Sequence, residues 1–175
     1  MILLVDIGNT RVKWATQVDG RLSPQRAAGY AQWSAVDWQH ELFDGPPVER
    51  VLAATVAGGD SRQALETAAR KAGIRRVDFV TSTAALAGVR NAYPASGLLG
   101  VDRWVAVIGA YHLAQAACCV VDVGTAATLD AVDASGQHLG GFIVPGPQLM
   151  VRSLHAGTNN LAAYTAASPV GATQL

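Results

Sequence analysis

The sequence predicts an α/β protein built from two related units, and three observations carry that reading. The segment VDIGNTRVKW (Val5 to Trp14) recurs in outline as VDVGTAATLD (Val121 to Asp130). Each copy is followed by a third short strand-like segment, over 21–30 in the first and Leu139 to Val144 in the second. Between the copies, strand-like runs alternate with helical patterns, the order of a layered sheet-and-helix unit.

Taken in order, Ile2–Ile7 and Arg11–Gln17 read as antiparallel strands joined by Gly8-Asn9-Thr10. Asp19-Gly20 is a strong hairpin signal leading into a ragged third strand, Arg21 to Tyr30. Ser34 is suited to cap a helix running through Trp38, Leu42 and Phe43, which Gly45-Pro46-Pro47 ends. Arg50 to Val56 reads as a strand, Ser61 to Ala72 as an Ala-rich amphipathic helix stopped by Gly73, and Val77 to Val80 as another strand. From Ser82 to Gly100 the periodicity fades into a long connection holding Asn91, Tyr93 and Pro94. Long loops in compact domains tend to be functional. Asp102 then opens a helix with apolar Trp104, Val105, Ile108 and Leu113. Strands Cys118–Val123, Ala126–Val132 and Leu139–Val144 follow, and Pro145-Gly146-Pro147 turns the chain into a helix from about Gln148. The junction falls at the helix around 102–116, giving a first unit over 1–115 and a second over 116–175. Trp14, Trp33, Trp38 and Trp104 read as core or interface anchors.

The repeat also implies a chemistry. In each copy an apolar strand ends in Asp, and a glycine turn then presents backbone N–H groups and hydroxyls, a geometry that grips phosphate oxygens. The Asp is placed to hold a hydrated metal ion bound to those oxygens. One D-x-G-x-T segment alone is an ordinary hairpin signal. Two of them, with Asp6 and Asp122 separated by enough chain for a complete α/β unit, would enclose a polyphosphate from both sides. A nucleotide-dependent phosphoryl transferase follows. Duplicated phosphate hairpins mark the actin-like ATPase and sugar-kinase superfold, whose repeating unit is ribonuclease-H-like.

Composition narrows the alternatives. The formal net charge is zero and no basic run or basic helix face appears, so nothing resembles a nucleic-acid footprint. MILLV is too short for a signal peptide and is interrupted by Asp6. No stretch approaches the roughly 18 apolar residues of a membrane span. Cys118 and Cys119 are adjacent, poor disulfide partners, and are expected in a buried strand as reduced thiols of a cytosolic protein. Asp130 and Asp133 are expected on a hairpin surface, and His155 as a packing residue on its helix.

Four motifs, DIGNTRVK (Asp6 to Lys13), YPASGLLGVDR (Tyr93 to Arg103), DVGTAATLD (Asp122 to Asp130) and GGFIVPG (Gly140 to Gly146), together resemble the type III pantothenate kinases, which include the Bvg accessory factors. The G-x-D-R element is the most specific of them. The resemblance spans the whole chain and implies ATP-dependent phosphorylation of pantothenate, the first committed step toward coenzyme A. It further implies a cytoplasmic homodimer requiring Mg²⁺ and a monovalent cation, K⁺ or NH₄⁺. Asp6, Ile7, Gly8, Asn9, Thr10, Arg11, Val12 and Lys13 match the family's first ATP phosphate segment, and Thr125 a further ATP contact. Asp122 matches the monovalent-cation ligand. Tyr93, Gly100, Val101, Asp102 and Arg103 match the pantothenate site, with Asp102 at the position of the catalytic Asp.

The residue chemistry agrees with these assignments. A primary alcohol needs a carboxylate that orients or deprotonates it, and Asp102 at a helix start suits that role. Capping the helix is its alternative, and the two roles are compatible. Arg103 and Tyr93 can bind carboxylate or amide oxygens, and Lys13 can neutralise phosphate charge as a point cation. Two rival functions remain: a non-catalytic accessory or regulatory protein of the same fold, and a kinase of the superfold with another acceptor. The sequence departs from the family at Thr158-Asn159-Asn160-Leu161-Ala162, where T-A-x-L-P is the usual pattern. Residues 116–175 hold only the start of a second unit, so the chain is expected to be part of a longer polypeptide. The substrate-contacting Thr that the resemblance implies, usually supplied by the neighbouring subunit, is expected in the continuation past Leu175. The meander and single helix of that second unit are expected to leave an apolar face uncovered.

Overall fold

The computed structural model describes residues 1–157. β1 (Ile2–Ile7) and β2 (Arg11–Val18) form the first hairpin, with Val5 opposite Trp14 and Asp6 opposite Lys13. Alternation along β1 buries Leu3, Val5 and Ile7 on one face, as period two demands. The ragged third strand is two short ones, β3 (Arg21–Leu22) and β4 (Arg26–Gly29), both paired with β2. Pro24 lies between them and has no N–H to give the ladder. Ser34 caps α1 (Ala35–Phe43) in a reciprocal box with Asp37, as its position before the apolar stripe predicts.

β5 (Arg50–Thr55), α2 (Gly59–Lys71) and β6 (Val77–Phe79) complete the first layer system. The sheet runs β3-β2-β1-β5-β6 with β4 also on β2, and β1, β5 and β6 are parallel. Helices α1 and α2 pack together and close a core of Leu3, Ile7, Trp14, Trp38, Val51 and Leu65. Trp33, half-buried, meets Trp14 and Trp38 edge-on.

The connection after β6 is more ordered than its sequence suggests. It contains a tight hairpin, β7 (Ala85–Leu86) and β8 (Val89–Arg90), and one turn of 3₁₀ helix at Ser96–Leu98. Ala87 (φ 49°) and Gly88 (φ 82°) make the hairpin turn, and the Ala stands where Asn or Asp would have advertised it. α3 (Val101–Ala114) then packs against β9, β10 and β5. β9 (Cys118–Val123), β10 (Ala126–Val132) and β11 (His138–Pro145) form an antiparallel meander, β11-β10-β9, that repeats the β1–β2–β3/β4 arrangement. α4 (Pro147–Gly157) starts on Pro147, whose missing N–H costs nothing at a helix's first position.

A second core joins Val89, Leu99, Trp104, Val107 and Val132, so α3 and the long connection share it with the meander. The burial expected of both cysteines is corrected here. Cys118 packs against this core, but Cys119 lies on the opposite face of β9 and is exposed. Val121, Val123 and Phe142 on that face are more than half exposed, and Met150, Val151 and Leu154 of α4 are exposed to lesser degrees, so exposed apolar surface is present as expected.

Candidate active site

The two glycine turns face each other. Thr10 Oγ1 and Thr125 Oγ1 are 2.8 Å apart, so the repeated segments meet hydroxyl to hydroxyl. In the first turn the Gly8 N–H donates to the Arg11 carbonyl at 3.0 Å, and the Tyr30 hydroxyl donates to the Gly8 carbonyl at 2.7 Å from behind. Ile7 and Val12 are fully buried, pair with each other across the hairpin and anchor the turn. Asn9, Thr10 and Arg11 are exposed. In the second turn Gly124 N–H donates to Ala126 O, and Gly146 N–H reaches Thr125 O at 2.9 Å. A Cβ on Gly146 would overlap the Gly124 carbonyl oxygen, which explains a glycine in the GGFIVPG segment.

Carboxylates gather at the same mouth. Burial raises the Asp6 carboxyl above its ordinary value, the nearby charges of Asp102 and Asp122 push it further, and Lys13 opposes both. The Lys13 ammonium stands 3.7 Å from Asp6 Oδ2, across the β1–β2 hairpin. Among the described residues no three His, Cys, Asp or Glu side chains are set to hold a metal unaided. A cation here would need oxygens from phosphate and water beside one or two carboxylates, which is how Mg²⁺ is ordinarily bound with nucleotides.

Asp102 does not cap α3, contrary to the alternative drawn from sequence. Gly100 occupies the cap position and Asp102 is the helix's second residue. Its Oδ1 accepts the Arg103 backbone N–H at 2.7 Å. A Cβ on Gly100 would fall 2.6 Å from that oxygen, so the G-x-D-R spacing has a steric basis. Val101, between them, turns into the core.

Arg103 is held, not free. Its Nε and Nη2 donate to Asp130 Oδ2 and Oδ1, each at 2.7 Å, a bidentate fork on one carboxylate. The bond to Asp130 raises the guanidinium's already high pKa, with a smaller contribution from Tyr93. Asp130 is therefore a correction: expected on a surface, it is 2% exposed. It shares a face of β10 with Val132, which sits in the core, so the alternation that buries Val132 also turns Asp130 toward α3. His138, which the sequence reading passed over, is fully buried with Nε2 2.9 Å from Asp130 Oδ1. Its ring stacks on Tyr93, with centroids 6.1 Å apart. Asp133 stays in the β10–β11 turn, accepting N–H bonds from Ser135 and Gln137, as expected. His155 is partly buried on α4, and Thr158 to Ala162 lie outside the described residues.

The sequence profile of the type III pantothenate kinase family matches residues 2–174. The chain belongs to the type III pantothenate kinase family. A type III pantothenate kinase of Aromatoleum aromaticum is 41% identical over 161 residues, covering 92% of this chain and 65% of the relative. Those of Halorhodospira halophila and an Azoarcus species are 38% and 41% identical, over 100% and 92% of this chain and 70% and 61% of their own lengths. The chain thus spans about two thirds of the length of the curated relatives it matches. Among solved structures, a putative Baf family transcriptional activator from Campylobacter jejuni superposes with a TM-score of 0.52 at 22% identity, over 89% of this chain and 60% of that one. The activator of 2-hydroxyisocaproyl-CoA dehydratase from Clostridium difficile, with bound ADPNP, gives 0.51 at 12% identity, over 96% and 57%. These likenesses, with the family match, establish the actin-like fold. No helix among the described residues is long and apolar enough to cross a membrane.

Proposed function

We propose that the protein transfers the γ-phosphoryl group of ATP to the 4′-hydroxyl of pantothenate, in the cytoplasm and as a homodimer. The observation that carries this is the 2.8 Å contact of Thr10 and Thr125, which brings the two phosphate-type turns together beside Asp6, Asp102 and Asp122. Residues 1–115 and 116–175 are the two units, with α3 at their joint. The Gly8-Asn9-Thr10 turn, positioned by its flanking residues over 6–13, and the Thr125 hydroxyl hold the phosphates, and Lys13 neutralises part of their charge. The carboxylates of the mouth would help hold the Mg²⁺ that accompanies the nucleotide, and Asp122 would hold K⁺ or NH₄⁺. Bound there, the cations would supply positive charge against the negative charge gathering on the phosphoryl oxygens.

Asp102 orients the 4′-hydroxyl and accepts its proton as the oxygen–phosphorus bond forms. The bond from the γ-phosphorus to the β–γ bridging oxygen breaks, and ADP leaves with that electron pair. Transfer of this kind needs positioning and charge neutralisation more than covalent help, which a rigid helix start and two facing turns supply. Gly100 and Val101 shape the approach to Asp102, while Arg103 and Tyr93 bind polar atoms of pantothenate.

The test is ADP release from MgATP and K⁺ by the full-length protein with pantothenate, a hexose or glycerol as acceptor. Release stimulated by pantothenate alone supports the reading. Release with a hexose or glycerol but not pantothenate moves the protein to another acceptor, and none with any acceptor favours an accessory role.

A further inference from the structure

We infer that Asp130 and His138 form a buried positioning pair that presets both Arg103 and Tyr93 for the acceptor, an inference that rests on the pantothenate reading above. Asp130 is almost wholly buried and its carboxylate takes the guanidinium by the Nε and Nη2 edge. Of the five guanidinium donors, that leaves both Nη1 hydrogens and one on Nη2 for other partners. Arg103 thus serves less as a free positive charge than as a planar donor whose orientation is set from behind. A bidentate fork fixes a plane as well as a distance.

His138 extends the same control to the loop. An ionised carboxylate only accepts, so Nε2 carries the proton it gives Asp130, and Nδ1 is left to accept. The Ala92 N–H lies 3.4 Å from Nδ1, a long bond of the required polarity. The ring is tied at one nitrogen to the carboxylate and at the other to the residue before Tyr93. Tyr93 stacks on its face, and the Asn91 side chain accepts the Tyr93 N–H at 3.0 Å. One buried imidazole links the loop bearing the phenol to the carboxylate bearing the guanidinium.

The packing is built around this cluster. Gly141 faces Asp130 across the β10–β11 ladder. A Cβ there would run into the Leu129 carbonyl oxygen and Asp130 Oδ1 and come within 2.7 Å of Arg103 Nη2, so glycine serves the close approach of the strands first and leaves the fork its room as well. Desolvation offsets much of the attraction in a buried ion pair, so stability alone is a weak reason for it. Burial with His138 tied to the same carboxylate fits preorganisation, which reduces the ordering cost of binding.

The experiment uses the full-length protein and four variants: Asp130→Asn, His138→Asn, Arg103→Lys and the Arg103→Lys/Asp130→Asn double. Asp130→Asn raises KM for pantothenate about tenfold or more, while KM for ATP moves less than about twofold. His138→Asn, which keeps the ion pair, gives a smaller rise in the same constant. In the Arg103→Lys background Asp130→Asn adds little, because both changes remove one interaction. A ligand-free readout stands beside the kinetics: the ¹⁵N-labelled Arg103 Nε–H resonance, protected from exchange in the wild type and absent or fast-exchanging in Asp130→Asn. Additive effects, equal losses in both KM values, or an unaltered Nε–H signal in folded Asp130→Asn would overturn the positioning role. Wild-type pantothenate kinetics in Arg103→Lys, with the Nε–H signal lost in Asp130→Asn, would instead overturn the acceptor-site reading while leaving the pairing intact. If Asp130→Asn does not fold, His138→Asn decides: unchanged pantothenate KM overturns the inference.

Discussion

Replacing Gly146 with alanine tests whether the second turn must sit where it does. The added Cβ would overlap the Gly124 carbonyl oxygen and lie 2.7 Å from the Thr125 carbonyl oxygen, where ordinary contact begins at 3.4 Å. The Gly124 overlap is the larger of the two, so the turn must retreat by more than about 1 Å, or α4 must move away by as much. A retreat of that size directed away from Thr10 stretches the 2.8 Å Thr10–Thr125 bond to about 3.8 Å or more, beyond hydrogen bonding. Overpacking of this kind costs about 1–3 kcal/mol of stability. Misplacing reacting groups by about 1 Å costs on the order of 10²-fold in rate. Gly146→Ala should thus unfold at a lower denaturant concentration and lose roughly 10²-fold in kcat/KM for ATP, measured by coupled ADP release. Gly45→Ala, whose Cβ meets nothing within 4 Å, is the control. Wild-type ATP kinetics in Gly146→Ala would refute the claim that the position of this turn matters.

Three further outcomes follow from the same mouth. Asp102→Asn should lower kcat by roughly 10²-fold with ATP affinity nearly unchanged, and a near-normal kcat would remove Asp102 from the chemistry. K⁺ or NH₄⁺ should activate far better than Na⁺, and Asp122→Ala should abolish that dependence with most of the activity; equal rates in Na⁺ and K⁺ would contradict the assignment. Asp6 carries a carboxyl raised above 3.8 mainly by burial, so the folded state binds its proton more tightly than the unfolded chain does. Its ionisation then costs stability as pH rises through the carboxylate range and at every pH above it. Asp6→Asn should be the more stable protein at pH 7, with the advantage shrinking as pH falls toward 4, while activity is lost. Thermal melts showing a gap independent of pH would exclude this origin.

Local rules read most of the fold. The hairpin at Gly8-Asn9-Thr10, the Ser34 cap and the three strands of the meander all appear where turn chemistry and periodicity put them. The repeat went further than local structure: the likeness between two distant segments corresponds to a direct contact between Thr10 and Thr125. What escaped depends on three dimensions. The β7–β8 turn uses Ala87 in a left-handed conformation that no residue preference announces. Asp130 was misread because a carboxylate two positions from a buried Val looks like the end of a strand until its partner, Arg103, arrives from a helix far away in sequence. His138 was missed for a similar reason. A single His at a strand start carries no signal of its own, and its meaning comes from Asp130 and the Ala92–Tyr93 loop.

The most direct measurement is of the product. Full-length protein would be incubated with MgATP, K⁺ and pantothenate, and the mixture resolved by mass spectrometry and ³¹P–¹H correlation. One 4′-phosphopantothenate should form for each ADP, with the phosphorus coupled to the protons beside the former primary hydroxyl. Formation of ADP and free phosphate with pantothenate unchanged, or phosphate attached elsewhere on the acceptor, would contradict the account.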